Sequence, residues 1–400
     1  MLSKVKSFIF RRIYMPILAW HIRRKKRIRV LFVLQYLSEW KTEALYLAML
    51  HHPRFEPILG ITPCIEIEGE EKRVIDYCEK KGYDYKWIDS EKTLGNQVHP
   101  DIVVHQKLYT WYIYPKHQVF SNKQSLFIYV PYALHSICTE WLTNSTLAFN
   151  SWKFFWENES CCADFKQIDL FSGHNYSVTG LPIMDTLSLP PNKYPDPFTI
   201  RDGRKRIIYA PHHTIQANKI LDGIDFSTFL ENGDFMLKMA EKYKNQVYFV
   251  FKPHPILYKT LCKLWGKEKT DTYYRKWIHP NYSHIENGEY IGLFKHSDAL
   301  IHDCGSFTLE YMYTGNPVMY LVKETRRTDN MTHYGKRAYD LHYKGNNHED
   351  IEQFIQNVID GYDPLKDARL QYVASELTPP HGKTACENII NAILGQEDYA

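Results

Sequence analysis

Ala299-Leu300-Ile301-His302-Asp303-Cys304-Gly305-Ser306-Phe307-Thr308-Leu309-Glu310-Tyr311-Met312-Tyr313 changes character in its middle. Ala299–His302 is a short apolar run that closes on polar residues, the pattern of a strand buried on both faces. From Phe307 to Tyr313 the apolar residues fall at helical spacing. Gly315-Asn316-Pro317 then reads as a turn, and Val318–Leu321 is apolar again. Strand, helix and strand at this spacing predict a βαβ unit, and so a parallel sheet with helices on its faces.

The same alternation extends outward. Arg206–Ala210 and Val247–Lys252 read as strands, Phe235–Lys244 as a helix, and Ile351–Ile359 and Ala385–Leu394 as amphipathic helices. Earlier in the chain, Ile28–Leu34, Glu56–Ile61, Tyr85–Ile88, Ile102–Val104 and Leu126–Val130 read as strands. Helical patterns lie between them through Leu45, Leu47 and Leu50 and over Glu70–Lys81. Ser188–Pro197 is proline-dense and non-periodic, which marks a linker. With 400 residues the chain suits two domains. The expected division is 1–27, a basic amphipathic helix; 28–187, an acceptor-side domain; 188–200, a linker; and 201–400, a donor-binding domain. The fold class is α/β, two Rossmann-like doubly wound domains facing across a cleft, where the carboxyl ends of the strands bind ligands.

Charge is informative once located. Met1–Arg29 carries ten basic residues and no acidic one, so a net charge of +3 leaves the remainder at −7. A mildly acidic body with a basic arm is not the pattern of a nucleic-acid binder, and no nucleic-acid partner is expected. Leu2, Val5, Ile9, Ile13, Ile17 and Trp20 recur at steps of three or four residues, along one helix face, with Lys6 and Arg12 beside them. Charges interrupt the run well before the roughly 20 residues that cross a bilayer, and no cleavage site of a signal peptide follows. The arm is expected to lie on an anionic membrane surface, peripheral on the cytoplasmic face. The alternative is a helix packed on the body or on a partner, with Pro16 kinking it. Eight cysteines without a Cys-x-x-Cys pair predict reduced thiols and no zinc site.

Three polar clusters each follow a strand in the second half: Tyr209–Thr214, Lys252-Pro253-His254-Pro255 and His302–Glu310. In a parallel sheet their loops share one edge. Gly305 permits a tight turn or a close ligand approach. Ser306 and Thr308 sit where a helix starts and free N–H groups favour phosphate, although Ser306 as a plain cap accounts equally for the spacing. Glu310, one turn on, suits a donor or acceptor hydroxyl or an N-terminal cap, and Asp303 is placed with it. Prolines aim His254, whose imidazole titrates near working pH, while Lys252 offers a point charge for phosphate. His212 and His213 are metal-capable, but phosphate contact or loop packing is the preferred reading, and neither metal nor cofactor is expected. His135, in Val130–Ser136, also follows a strand and is expected across the cleft from His254.

The order Tyr209-Ala210-Pro211, Lys252-Pro253-His254-Pro255, then Asp303-Cys304-Gly305-Ser306 with Glu310 resembles the CDP-glycerol glycerophosphotransferases of teichoic-acid and capsule synthesis. Val178–Asp185 resembles their glycine-proline-aspartate segment, and His381–Glu387 their C-terminal tail with histidine in place of an acidic residue. The resemblance covers about Val178–Leu394. It implies a GT-B-type enzyme peripheral to the cell membrane, with His254 in catalysis and donor contact and the Ser306 region on the donor pyrophosphate. His135 alone stands for the family's second histidine. His302–Ser306 departs from the family's usual Thr-Asp-Tyr-Ser-Ser and resembles nucleotide-sugar glycosyltransferases and 2-epimerases as well.

The expected function is transfer of a glycerol-phosphate-type group from a CDP-linked donor to a hydroxyl of a glycan or lipid-linked acceptor. His254 and His135 would be catalytic, and Lys252, Gly305, Ser306, Thr308 and His212 would hold the donor phosphates. The alternatives are a nucleotide-sugar glycosyltransferase on the same fold and a non-catalytic membrane-associated nucleotide binder.

Overall fold

The computed structural model describes residues 7–64, 67, 69–109, 113–198, 200–215, 225–288, 290–323 and 328–396. The chain forms two compact units, 1–134 with 139–186 and 377–400, and 135–138 with 187–376. They differ from a contiguous division in two places. His135–Cys138 belongs with the second unit, and the chain from Leu377 on returns to the first.

The first unit is built on β1 (Ile28–Leu34), β2 (Phe55–Ile61), β3 (Tyr85–Trp87), β4 (Ile102–His105), β5 (Leu126–Tyr129), β6 (Lys153–Trp156) and β7 (Tyr176–Val178). They pair in the order β3-β2-β1-β4-β5-β6-β7, every neighbouring pair parallel. The apolar runs are apolar because helices cover both faces; all four residues of β4 and of β5 are buried.

The second unit contains β8 (Lys205–Ala210), β9 (Val247–Phe251), β10 (Ser283–Ile285), β11 (Ala299–His302), β12 (Val318–Leu321) and β13 (Tyr343–Gly345). Its order, β10-β9-β8-β11-β12-β13, repeats the first six strands of the other unit and is again parallel throughout. Both sheets have the doubly wound α/β topology expected from the alternation of strands and helices. Phe251, Tyr209 and Trp277 stack in the core of the second sheet, with Phe251 and Trp277 rings 4.9 Å apart and nearly coplanar at 12°.

Strands with strong apolar runs lie within a residue or so of their sequence-predicted bounds. The strands that the sequence does not reveal are β6, β7, β10 and β13. The last three have three residues each and stand at sheet edges. An edge strand has a neighbour on one side only, so it needs no long apolar run.

Ser7–Arg24 is a continuous helix within the first unit. Pro16 has no N–H to offer, and the turn before it, Phe10–Tyr14, widens into a π-helix while the helix continues. Phe10, Met15, Ala19 and Ile22 are buried, whereas Ile9, Ile13, Ile17 and Trp20 are 49, 56, 53 and 50% exposed. The arm therefore packs on its own unit with one face and turns the predicted stripe outward. Leu2, Val5, Lys4 and Lys6 lie outside the described residues. No described helix is long and apolar enough to cross a membrane.

Candidate functional site

In the second sheet, β9 and β11 flank β8. His302 pairs with Ala210 and Phe251 with Tyr209, so the three strands end within one residue of each other. Their following loops meet where the strand order reverses, the place where doubly wound sheets bind ligands.

Asp303 joins these loops. Its carboxylate is fully buried and accepts the His212 N–H at 2.5 Å, the Thr228 N–H at 2.7 Å and the Thr228 hydroxyl at 3.1 Å. Burial raises its pKa to about 6 against the opposing pull of those donors. The sequence reading gave Asp303 to a ligand hydroxyl. In the folded chain its oxygens are engaged by the protein, and the residue positions the loops instead. Thr228 had no signal in the sequence, because its partner lies 75 residues away.

Three imidazoles meet beside this clamp. The His212–His213, His212–His254 and His213–His254 ring centroids are 4.5, 4.8 and 4.2 Å apart. All are half-buried, and desolvation lowers their pKa values, to about 4 for His213 and well below the ordinary value for the other two. The rings are thus neutral at pH 7. The Nδ1 of His254 accepts the Ile256 N–H at 3.2 Å, and the Nδ1 of His212 accepts the Thr214 N–H at 3.3 Å and lies 2.8 Å from the Thr214 hydroxyl, which accepts the Phe226 N–H and can donate its own proton to the ring. A backbone N–H can only donate, so each neutral ring carries its proton on Nε2. His254 and His212 therefore present an N–H rather than a lone pair. One ligand atom from each of the three histidines lies within 4.8 Å of the other two, a spacing a zinc-class ion could use only if His212 and His254 gave up the tautomer set by those backbone N–H groups. Spacing alone offered no third partner for His212 and His213; the fold supplies His254.

The Gly305 turn adds backbone donors. Ser306 opens the helix Phe307–Glu310 but makes no side-chain capping bond, contrary to the plain cap reading. Gly305, Ser306 and Phe307 remain partly accessible. Gly305 does not need a positive φ, and an added Cβ would meet only Phe226 and Ser136 atoms at 3.6 Å. Neither turn geometry nor packing therefore requires glycine here. Thr308 is buried and its hydroxyl donates to the Cys304 carbonyl at 3.1 Å. Glu310 is also buried and accepts the Tyr290 hydroxyl at 2.5 Å. Lys252 is largely buried and donates to the Gly288 carbonyl at 3.1 Å.

His135 is held within the second unit through its backbone: the Thr332 hydroxyl donates to its carbonyl at 2.9 Å. Next in the chain, Ser136 Oγ donates to the Gly305 carbonyl at 2.9 Å. Gly335 allows this docking, since a Cβ there would sit 2.5 Å from the Ser136 carbonyl oxygen.

In the first unit the two remaining sequence motifs meet. Asp185 accepts the Ala385 and Cys386 N–H groups at 2.8 and 2.9 Å, at the start of the helix Ala385–Leu394. Gly180, at φ +76°, lies where a Cβ would be 2.9 Å from Pro379. These positions hold the first unit together.

Comparison with known proteins agrees with this architecture. No curated protein matches the chain by sequence. Among solved structures, the S. aureus MnaA–UDP complex is 16% identical, with 92% of this chain and 98% of that one aligned and a TM-score of 0.58. The Neisseria meningitidis UDP-GlcNAc 2-epimerase bound to UDP-GlcNAc is 16% identical over 92% and 100% of the two chains, TM-score 0.57. The wall teichoic acid polymerase TagF is 12% identical over 98% and 95%, TM-score 0.57. At these identities the likeness is one of fold. The profile of the family described as CDP-Glycerol:Poly(glycerophosphate) glycerophosphotransferase matches residues 151–394, well over half of the chain. This chain is a GT-B-fold transferase that belongs to the CDP-glycerol:poly(glycerophosphate) glycerophosphotransferase family.

Proposed function

We propose that the chain transfers a glycerol-phosphate-type group from a CDP-linked donor to a hydroxyl of a cell-surface glycan or lipid-linked acceptor. What supports this reading is the junction of the His212, His254 and Asp303–Ser306 loops at one sheet edge, with Nε2–H donors on both rings, in a chain of this family. In the reaction, the acceptor oxygen bonds to the phosphorus that carries glycerol, the bond from that phosphorus to the bridging oxygen breaks, and CMP leaves. Donors preplaced on the phosphate oxygens stabilise the charge that develops there. With their protons on Nε2, His254 and His212 serve as such donors, and Lys252 adds positive charge. His135 then becomes the better candidate for taking the acceptor proton. Gly305 and Ser306 offer backbone contact to the pyrophosphate, while Thr308, Glu310 and Asp303 hold the turn in place.

The exposed stripe of the N-terminal helix supports attachment to the inner face of the membrane, where a lipid-linked acceptor would be presented.

A nucleotide-sugar transferase or epimerase is the second reading, favoured by the structural likeness to two proteins described with UDP and with UDP-GlcNAc. Purified chain incubated with acceptor and either CDP-glycerol, CDP-ribitol or UDP-GlcNAc separates the two. CMP release with a CDP-linked polyol is expected. Turnover of UDP-GlcNAc alone would replace the proposed reaction with the second.

A further inference from the structure

Beside the N-terminal helix, within the first unit, lies a cavity of about 710 Å³. Arg11, Arg12, Arg23 and Arg24 line it from the helix, with Trp152 and His174 among the residues opposite, and no carboxylate lines it. The arginines are not consumed elsewhere to the same degree. Arg23 is held by the Ile393 and Ala392 carbonyls at 2.9 and 3.1 Å. Arg11 lies 3.9 Å from the centre of the Phe149 ring and Arg24 3.6 Å from that of Trp20. Among the described residues, Arg11, Arg12 and Arg24 make no hydrogen bond or ion pair from their side chains. The nearby Asp169 accepts the Phe171 and Gly173 N–H groups at 2.8 Å each, and its charge opposes part of the crowding at Arg11 and His174. Burial and, after it, Arg12 lower the Arg11 pKa against Asp169, and burial and Arg11 lower that of His174 against the same carboxylate.

Cations gathered around a cavity with no carboxylate in its described lining call for an anionic occupant. The helix indicates which one. Trp20 both lines the cavity and ends the exposed stripe of Ile9, Ile13 and Ile17. If that stripe enters the acyl boundary, the cavity beside it stands at headgroup depth. Guanidinium groups on fixed stems match phosphate oxygens in pairs, as an ammonium does not.

We propose that this cavity is a binding site for the phosphate headgroup of an anionic phospholipid, entered while the helix lies on the bilayer. The proposal rests on the membrane-surface reading given above and goes further, because it asks for a formed site rather than diffuse attraction.

Co-sedimentation of the full chain with phosphatidylcholine vesicles, with and without phosphatidylglycerol, tests it. The wild-type chain is expected to prefer the anionic vesicles. Replacing Arg12 and Arg24 together by Gln should weaken binding to them by roughly tenfold and remove the preference. The Arg12→Lys, Arg24→Lys pair keeps the charge, and a formed site predicts that it too loses most of the preference. Lysine variants that bind like wild type would reduce the effect to general charge attraction and overturn the site. Ile13→Asp with Ile17→Asp should abolish binding to both vesicle types. If those stripe variants detach while the Gln pair binds normally, the membrane reading stands and the cavity proposal falls. If wild type binds neither vesicle, both fall. A control with soluble inorganic phosphate and glycerol 3-phosphate separates the sources: saturation of the arginines by either, with loss of vesicle preference, would overturn the lipid assignment. Unchanged circular dichroism of each variant shows that the fold is kept.

Discussion

His254 shows how much chemistry one hydrogen bond can decide. Its sequence setting, between two prolines and after a lysine, marks an aimed imidazole but not the nitrogen that bears the proton. The Ile256 N–H on Nδ1 puts it on Nε2, and the role follows: a donor to phosphate rather than a base. His254→Ala is therefore expected to lower turnover by about a hundredfold or more with the fold intact. His254→Gln, whose amide N–H replaces the Nε2–H, should retain clearly more activity than Ala. Equal loss in both, measured as CMP release, would return the base role to His254. Asp303 makes the complementary case. Asp303→Asn puts an NH2 group against one of the buried N–H donors, so it should cost about 1–3 kcal/mol in urea unfolding and disorder the His212 loop. A stable, fully active Asn variant would show that the carboxylate is not what binds the loops together.

At the scale of elements, helix ends show how distant motifs acquire a purpose. Asp185 caps the helix Ala385–Leu394 from 200 residues away, beside the local capping box of Thr384 and Glu387. Asp185→Ala is expected to cost about 1–2 kcal/mol, the scale of a lost N-cap, with the donor affinity of the second unit unchanged. Thermal unfolding and nucleotide titration of the same variant check both halves of that statement. Gly180→Ala combines a left-handed backbone with a clash at Pro379, so it should be at least as harmful. The short edge strands teach a related lesson. Residues such as Tyr176–Val178 pair because β6 offers them a free edge, and three residues cannot carry a period of their own.

For the whole molecule, the buried and half-buried histidines make a prediction about acid. Folding holds His105 and His302 near pKa 3 and His213 near 4, and pushes His212, His254 and His342 well down, in each case chiefly by desolvation. The unfolded chain takes up these protons near pH 6.5. Between about pH 6.5 and 4 the unfolded state thus binds more protons than the native one, and stability falls as pH falls. Asp303 acts oppositely below about pH 6, since folding raises its pKa, but six imidazoles outweigh one carboxyl. The melting temperature should drop between pH 7 and 5; a flat profile would mean that these rings are solvated.

Sequence by itself determined the α/β class, the sheet-forming runs and the three loops that carry His212, His254 and Gly305. Each of these follows from local patterns, because apolar runs and their periods report burial directly. It also placed the stripe on the N-terminal helix. Only the tertiary structure decided that Asp303 is a clamp, that His213 joins His254, that His135–Cys138 packs with the second unit and that arginines gather around a cavity. Those facts depend on contacts between residues far apart in the chain, and hydrogen-bond direction, burial and charge crowding exist only once such residues are brought together.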